Sequence, residues 1–491
     1  MVKMVNEHAM QSSMGVAGNA TNTVQLLTKL RSGSLLVTDH VRTLLTRIEE
    51  KNPMINAFLH VASEQALAQA RHLDQKRLQH GPDALGKLFG LCLGIKSNIA
   101  VRGLPLTCGS KTLEKFIAPY DADVIAALRR QDAIILGMLN MDEFACGSSG
   151  ESSAFGPAKN PAAPGRIPGG SSSGSAAAIA AGLCDAALGS DTGGSVRNPA
   201  SHCGVVGIKP SYGRVSRYGL VDLAMTLDQI GTLCTDVQGA ALILEVISGR
   251  SGNDARTLSQ EVPTLVARTQ AQQEAQAAPN LKLRIGIAPE LQRLCTDMRI
   301  RKAIEDAAET LAQYFGTGLS HVHLPHVHLS IQTYYPLVYV EFFSGTRKFD
   351  GRKYGKRIED AAGAEVLRRI AGGKEICKAE HHGRHYRSAL AAKHLIKREI
   401  EEAFTGVDVL ISPVTPMLPH RLGEHISFEQ MYAYDAFTIP ANLSECCAAS
   451  VPITKIEGIP IGLHLMCKPL DEEKLVAAMI AWEKLREPQG P

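Results

Sequence analysis

The sequence is poor in several things. Aromatic residues make up 5% of its 491 residues, and tryptophan occurs once, at Trp482. Base-stacking platforms for nucleic acid need more than that. The 52 lysines and arginines barely exceed the 49 aspartates and glutamates. No basic stripe interleaved with aromatics exists, so an extended nucleic-acid surface on this chain alone is not indicated. No run of eighteen or more apolar residues occurs, and no membrane span is expected. The cysteines number 11, an odd count, and are scattered without a CxxC. Their only cluster is the vicinal pair Cys446–Cys447. This reads as a reduced, cytoplasmic protein rather than a disulfide scaffold or a zinc site. Residues 1–20 lack an apolar core and contain Glu7, which makes them a disordered extension rather than a signal peptide.

Apolar residues, at 45% of the chain, are ample for a large core. Helical periodicity runs from Thr21 to about Glu50, with Thr38 or Asp39 as cap of the second of two helices. Ser63 to Leu78, Val124 to Arg130, Ser175 to Leu183 and Arg301 to Phe315 also read as helices. Strands are expected at Leu91 to Ile95, Ile134 to Gly137, Cys184 to Gly189 and Leu283 to Ile287. Another is expected within Val407 to Pro416, ahead of a proline-rich turn. Ser251 to Asn280 is a polar surface excursion. Lys348 to Arg387, dense in charge and glycine, is a mobile lid or helical insertion. Alternating strands and helices with glycine at the junctions predict an α/β fold, a large sheet covered by helices.

Met141 to Ser201 carries the strongest functional signal. Two Gly-Ser clusters, Gly169 to Ser175 and Asp191 to Ser195, flank an alanine-rich helix. Glycine costs conformational entropy and serine is a poor helix or strand former. Such a concentration of both suggests a site built from backbone N–H groups and hydroxyls, the equipment of serine-based acyl transfer. A serine nucleophile needs a base. The only nearby histidine is His202, whereas a buried lysine, its pKa lowered by desolvation, can do the same work. Lys96, at the end of an apolar strand, is the candidate.

Lys96 within GIKSN, Ser171 within GGSSSGSAAAIAAG and Ser195 within GSDTGGSVRNPA resemble, in type and interval, the Ser-cisSer-Lys triad of the amidase signature family. Within it, MDEFACGSSGE, SAFGPAKNP, GVVGIKPSYGRVSRYGL and TLDQIG are most similar to the A subunits of glutamyl-tRNA(Gln)/aspartyl-tRNA(Asn) amidotransferases. So are DGRKYG, DVLISPVTP, FTIPANL and IPIGLHLMCKPLDEEKL. The resemblance implies one amidase-signature domain over 21–485, a central mixed β-sheet with helices on both faces, and a short tail at 486–491.

It also implies roles. Ser195 is the expected nucleophile, taking the side-chain amide of glutamine to a glutamyl-enzyme and ammonia. Ser171, joined to Gly170 by a cis peptide, relays the proton, and Lys96 is the terminal base. Backbone N–H groups of Thr192, Gly193, Gly194 and Ser195 form the oxyanion hole. Arg369 binds the glutamine carboxylate, with Arg368 as the neighbour that could take its place. Asp435 binds the amino group and Tyr334 lines the pocket. No cofactor or metal is expected on this chain. ATP and Mg²⁺ belong to a B subunit that activates the mischarged tRNA, and a C subunit completes a heterotrimer. Ser97, Ser173 and the stretch Ser444–Ala448 depart from the family's pattern, as does GGKEICKAEHHGRHYRS, which concerns the substrate lid more than the chemistry.

Each feature has a plainer reading. A Gly-Ser run alone is often a linker, a lone lysine is usually ion-paired, and charges on a helix usually face solvent. His321, His323, His326 and His328 have metal-like spacing, but alternation on a strand without nearby carboxylate or cysteine favours ordinary histidines. Cys446 and Cys447 read as small packing residues. Two rival functions remain at this point: a stand-alone amidase for a small or hydrophobic amide, and a scaffold that has lost turnover.

Overall fold

Short apolar runs bounded by glycine, proline or polar residues become the strands, as expected of a sheet that buries both faces. The computed structural model describes residues 22–266 and 281–486. The expected extension at 1–20 lies outside them, as do residues 487–491 of the tail and 267–280 of the polar excursion.

In chain order the strands are β1 (Phe58–Val61), β2 (Cys92–Lys96), β3 (Ile134–Leu139), β4 (Ala186–Asp191), β5 (Val206–Lys209), β6 (Gln229–Cys234), β7 (Ile285–Ile287), β8 (Leu319–His321), β9 (Val409–Pro413), β10 (Cys447–Ile456) and β11 (Ile459–Cys467). They form one sheet of 11 strands ordered β1-β3-β2-β4-β6-β5-β10-β11-β9-β7-β8. The sheet is mixed. β2 runs parallel to β3 and β4, and β7 runs parallel to β8 and β9, while the remaining pairs are antiparallel. Every residue of β2 through β7, and of β9 and β11, is buried, so both faces of these strands are covered. The fold is the α/β arrangement expected, with helices flanking a large mixed sheet.

Most helices fall where the periodicity places them. The first stretch divides into Thr23–Ser32 and Val37–Ile55, broken at Gly33, whose φ of 76° is left-handed. The expected cap of the second helix is corrected. Leu36 occupies the cap position and makes no side-chain bond. The free N–H groups are instead satisfied from another helix: Asp74 accepts Val37 N at 2.9 Å and Thr38 N at 3.0 Å. A cap supplied across space leaves no local signature in the sequence. The charged stretch after Lys348 is helical, with Ile358–Ala361, Ala364–Ile376 and the start of Arg384–Gly406. Among the described residues no helix is long and apolar enough to cross a membrane.

Two parallel neighbours position the site. β2 and β4 pair through Leu93–Ala186 and Ile95–Leu188, so their C-terminal ends open at the same edge. Crevices at such ends are where α/β sheets bind ligands. The intervening helix Ser173–Ala180 is made of small residues because it lies on backbone. A Cβ on Gly174 would sit 2.5 Å from Asn140 N and 2.6 Å from the Ala57 carbonyl.

Candidate active site

β2 delivers Lys96 as its last residue, with no exposed surface. Its Nζ lies 2.7 Å from Ser171 Oγ, 3.0 Å from Ser172 Oγ and 2.9 Å from Ser190 Oγ. The Ser190 carbonyl is 3.3 Å away. Burial pulls the Lys96 pKa down to about 7, against the opposing charges of Asp142, Asp191 and Asp228. An amine poised there can accept the Ser171 proton as readily as hold one of its own. The peptide between Gly170 and Ser171 is cis. It rests on Asp142: the Asp142 N–H donates to the Ser171 carbonyl at 3.1 Å. A Cβ on Gly170 would lie 1.9 Å from Asp142 Oδ2, so only glycine fits. Asp142 itself is held by Gly150 N and Ser152 N, each at 3.0 Å.

Ser195 reaches this floor from the loop after β4, where its carbonyl accepts Ser172 N at 3.1 Å. Exposure falls from 8% at Ser195 to 0% at both Ser171 and Lys96. Lys96 and Ser171 therefore lie beneath Ser195, the least buried of the three. The loop's shape comes from Asp191. Its Oδ1 accepts Gly194 N at 2.9 Å and its Oδ2 accepts Val196 N at 3.1 Å. Arg197 grips the same carboxylate through Nη2 at 2.8 Å and Nε at 3.1 Å, and Asn442 adds a third contact at 3.0 Å. Burial alone would raise the Asp191 pKa, but Arg197 and Asn442 outweigh it and hold it far below the usual carboxylate range. Of the four N–H groups expected as oxyanion donors, that of Gly194 bonds Asp191. Gly194 has φ 144°, and a Cβ there would meet Thr438 Oγ1 at 2.2 Å. Thr438 Oγ1 also donates to the Gly193 carbonyl at 2.6 Å. On the other side, Thr192 Oγ1 donates to Asp228 at 2.6 Å.

The residues expected to contact substrate come from three separate elements. Tyr334, on the helix Ser330–Thr346, packs on the loop so closely that a Cβ on Gly193 would lie 2.8 Å from its hydroxyl oxygen. Arg369, on Ala364–Ile376, is 4% exposed, and its guanidinium lies 5.7 Å from the Tyr335 ring centre. Asp435 follows the helix Phe428–Ala433 and accepts Ser148 Oγ at 2.6 Å. Burial pushes the Asp435 carboxyl up to about 7, against that bond and the Arg369 charge. Burial, and after it the Asp435 charge, pushes the Tyr334 hydroxyl well above its ordinary range, with the Arg369 charge opposing. Arg368, in contrast, turns outward: its side chain is 31% exposed and bonds Tyr339 Oη at 2.6 Å.

The sequence brings forward three catalytic candidates and three wall residues; the fold bonds Lys96 to Ser171 and packs Tyr334 against the loop of Ser195. It does not single out Asp191, Arg197, Asp142, Ser148 or Glu365, which hold the others in position. Asp191 and Arg197 lie inside a flagged motif, where an ion pair across a helix start is a readable signal. Ser148 and Asp435 are far apart in the chain and offer no local signal. The histidine run needs correction. β8 ends at His321, and the rest follows a turn: His323 pairs with Glu290 at 3.3 Å, His326 pairs with Glu399, and His328 bonds the Pro325 carbonyl at 2.9 Å. Cys446 and Cys447 are buried packing residues. Ser97 Oγ and Ser173 Oγ are buried without a hydrogen-bond partner.

A buried lysine bonded to a serine on a cis peptide, with a second serine on the adjoining loop, is the arrangement expected of an amide-cleaving site. Residues 39–476 match the amidase family model. The chain belongs to the amidase family. It is 49% identical over 458 residues to the glutamyl-tRNA(Gln) amidotransferase A subunit of Methanothermobacter thermautotrophicus, covering 93% of this chain and 98% of that protein. It is 45% identical over 454 residues to the corresponding A subunit of Methanocaldococcus jannaschii, covering 92% and 100%. The crystal structure of the Thermotoga maritima counterpart superposes with a TM-score of 0.77 at 34% identity, over 93% of each chain.

Proposed function

We propose that this chain is the glutamine-hydrolysing A subunit of a tRNA-dependent amidotransferase. The observation that carries the reading is that a buried cation, Arg369, and a buried carboxyl, Asp435, lie close enough for both charges to be felt at Tyr334, which packs on the loop of Ser195. A simple amide has no use for a fixed cation and a fixed carboxylate. A free amino acid presents a carboxylate and an ammonium, and a guanidinium opposite a carboxylate matches both. The names of the relatives agree with this.

The contact of Lys96 Nζ with Ser171 Oγ at 2.7 Å supports a relay that ends at the lysine. Ser195 Oγ attacks the glutamine side-chain carbonyl, and its proton passes to Ser171 while the Ser171 proton passes to neutral Lys96. The tetrahedral oxyanion lies against the N–H groups of Gly193 and Ser195, with Thr192 beside them. One such donor contributes about 3–4 kcal/mol of transition-state stabilisation. The relay then runs backwards, protonating the departing nitrogen, and ammonia leaves a glutamyl ester on Ser195. Water activated by the same relay releases glutamate. On this reading the ammonia serves a B subunit, which holds ATP and Mg²⁺ and most of the mischarged tRNA, Glu-tRNA(Gln) or Asp-tRNA(Asn). A C subunit completes the heterotrimer, and the assembly works in the cytoplasm.

The test is ammonia release from glutamine and from simple aliphatic and aromatic amides, with the chain alone and with its partner subunits. Glutamine-restricted release that rises on assembly supports the reading. Fast release from simple amides, indifferent to partners, overturns it in favour of a free-standing amidase. In the complex, Ser195→Ala should stop glutamine-dependent amidation while ammonium still supports it.

A further inference from the structure

Glu365 lies one helical turn before Arg369 on Ala364–Ile376. Its Oε1 accepts Arg369 Nε at 2.8 Å and Arg368 Nη2 at 2.7 Å, and its Oε2 accepts Arg368 Nε at 2.8 Å. One carboxylate therefore holds two guanidinium groups that point in opposite directions. Arg368 goes outward against the Phe428 ring at 5.0 Å and the Tyr432 ring at 5.6 Å. Arg369 goes inward to the pocket. A guanidinium can take a carboxylate side-on along either of two edges, one including Nε and one made of the two Nη groups. Glu365 takes the Nε of Arg369. Nη1 and Nη2 make no hydrogen bond to any described residue, and they are the edge left for a ligand.

We propose that Glu365 is a positioning residue that determines specificity: by holding Arg369 through Nε, it presents the Nη edge to the pocket at the one angle that receives a free α-carboxylate. The inference rests on the glutamine reading above and names what sets its selectivity. An arginine side chain has four rotatable bonds, and Glu365 is the contact that fixes the plane at their far end. The anchor is itself fixed relative to the catalytic floor. Gly363 N, at the start of the same helix, donates to Glu143 Oε2 at 2.7 Å, and Glu143 also accepts Ser110 Oγ. Glu143 directly follows Asp142, the residue under the Ser171 peptide. The spacing from Ser171 to the carboxylate anchor thus runs through two adjacent acidic residues, one facing each part of the site. Burial disfavours the Glu365 charge, but Arg369 and Arg368 outweigh it and hold the carboxyl below its ordinary range, so the anchor stays ionised at neutral pH.

The experiment compares L-glutamine with γ-aminobutyramide, which is glutamine without its α-carboxylate, on the full chain and its Glu365→Gln, Glu365→Asp and Arg369→Ala variants. Glu365→Gln should raise KM for glutamine about tenfold with kcat nearly unchanged, and leave kcat/KM for γ-aminobutyramide as it was. Glu365→Asp, which keeps the charge one methylene short, should fall between. If Glu365→Gln does not fold, the Glu365→Asp comparison carries the same test. Equal losses on both substrates would make Glu365 a general structural residue and overturn the inference. So would a glutamine KM that moves in Arg369→Ala and not in Glu365→Gln. If Arg369→Ala moves neither substrate, the glutamine reading fails and the inference fails with it.

Discussion

The floor of the site and its wall are built in different ways. Lys96, Ser171 and Ser195 come from the ends of two adjacent parallel strands and one helix start, packed so tightly that glycines at 170, 174 and 194 admit no side chain. Arg369, Asp435 and Tyr334 come from three separate peripheral segments, and they are joined by single long-range contacts such as Ser148 to Asp435. The floor is steric and the wall is electrostatic. Chemistry common to amide cleavage sits where backbone geometry is over-determined, and substrate choice sits where a few charges can be exchanged without disturbing the sheet.

The sharpest way to break that comparison is at the floor. Lys96→Met should lower glutamine hydrolysis roughly a thousandfold or more while the melting temperature stays near that of the parent, since a buried amine is replaced by an apolar chain of similar length. Near-normal turnover would remove Lys96 as base. At the wall the effect is smaller and of another kind. Arg369→Ala removes one half of a buried charge pairing with substrate, which costs about 2–5 kcal/mol, and should appear almost wholly in KM. A loss confined to kcat would place Arg369 in the chemistry instead.

The pH profile separates the two regions again. Lys96 and Asp435 both have pKa values near 7 in the empty site, and each must lose its proton to work. On the acid side, kcat/KM for glutamine should therefore climb through about pH 7 with more than one ionisation, and Asp435→Asn should remove one of them. A profile with a single ionisation in the parent would remove Asp435 as the ammonium partner. The smallest expected effect is at Arg368. Its partly exposed guanidinium points away from the pocket, so Arg368→Ala should leave the glutamine KM within about twofold. A large shift would mean that Arg368 contacts the substrate.

The same contrast governs what is legible in the chain itself. The strands and the catalytic floor are legible because glycine and serine in β2, β4 and their loops answer to local rules: turn, close approach, free N–H. The outward turn of Arg368 and the inward turn of Arg369 are not, because adjacent residues on a helix differ in direction only through what packs on them. The cap at Val37 escapes sequence reading for a related reason, since Asp74 supplies it from another helix. The histidine run looks like a strand throughout because alternation alone cannot show that β8 stops at His321.

The clamp of Arg197 on Asp191 has a consequence for acid tolerance. The carboxylate keeps its charge at pH values well below those at which Lys96 and Asp435 take up protons. The Asp191 side of the loop that presents Ser195 therefore keeps its hydrogen bonds while Lys96, Asp435 and Asp228 titrate. Activity lost in mild acid should therefore return at once on neutralisation, which a pH-jump assay of glutamine hydrolysis would check.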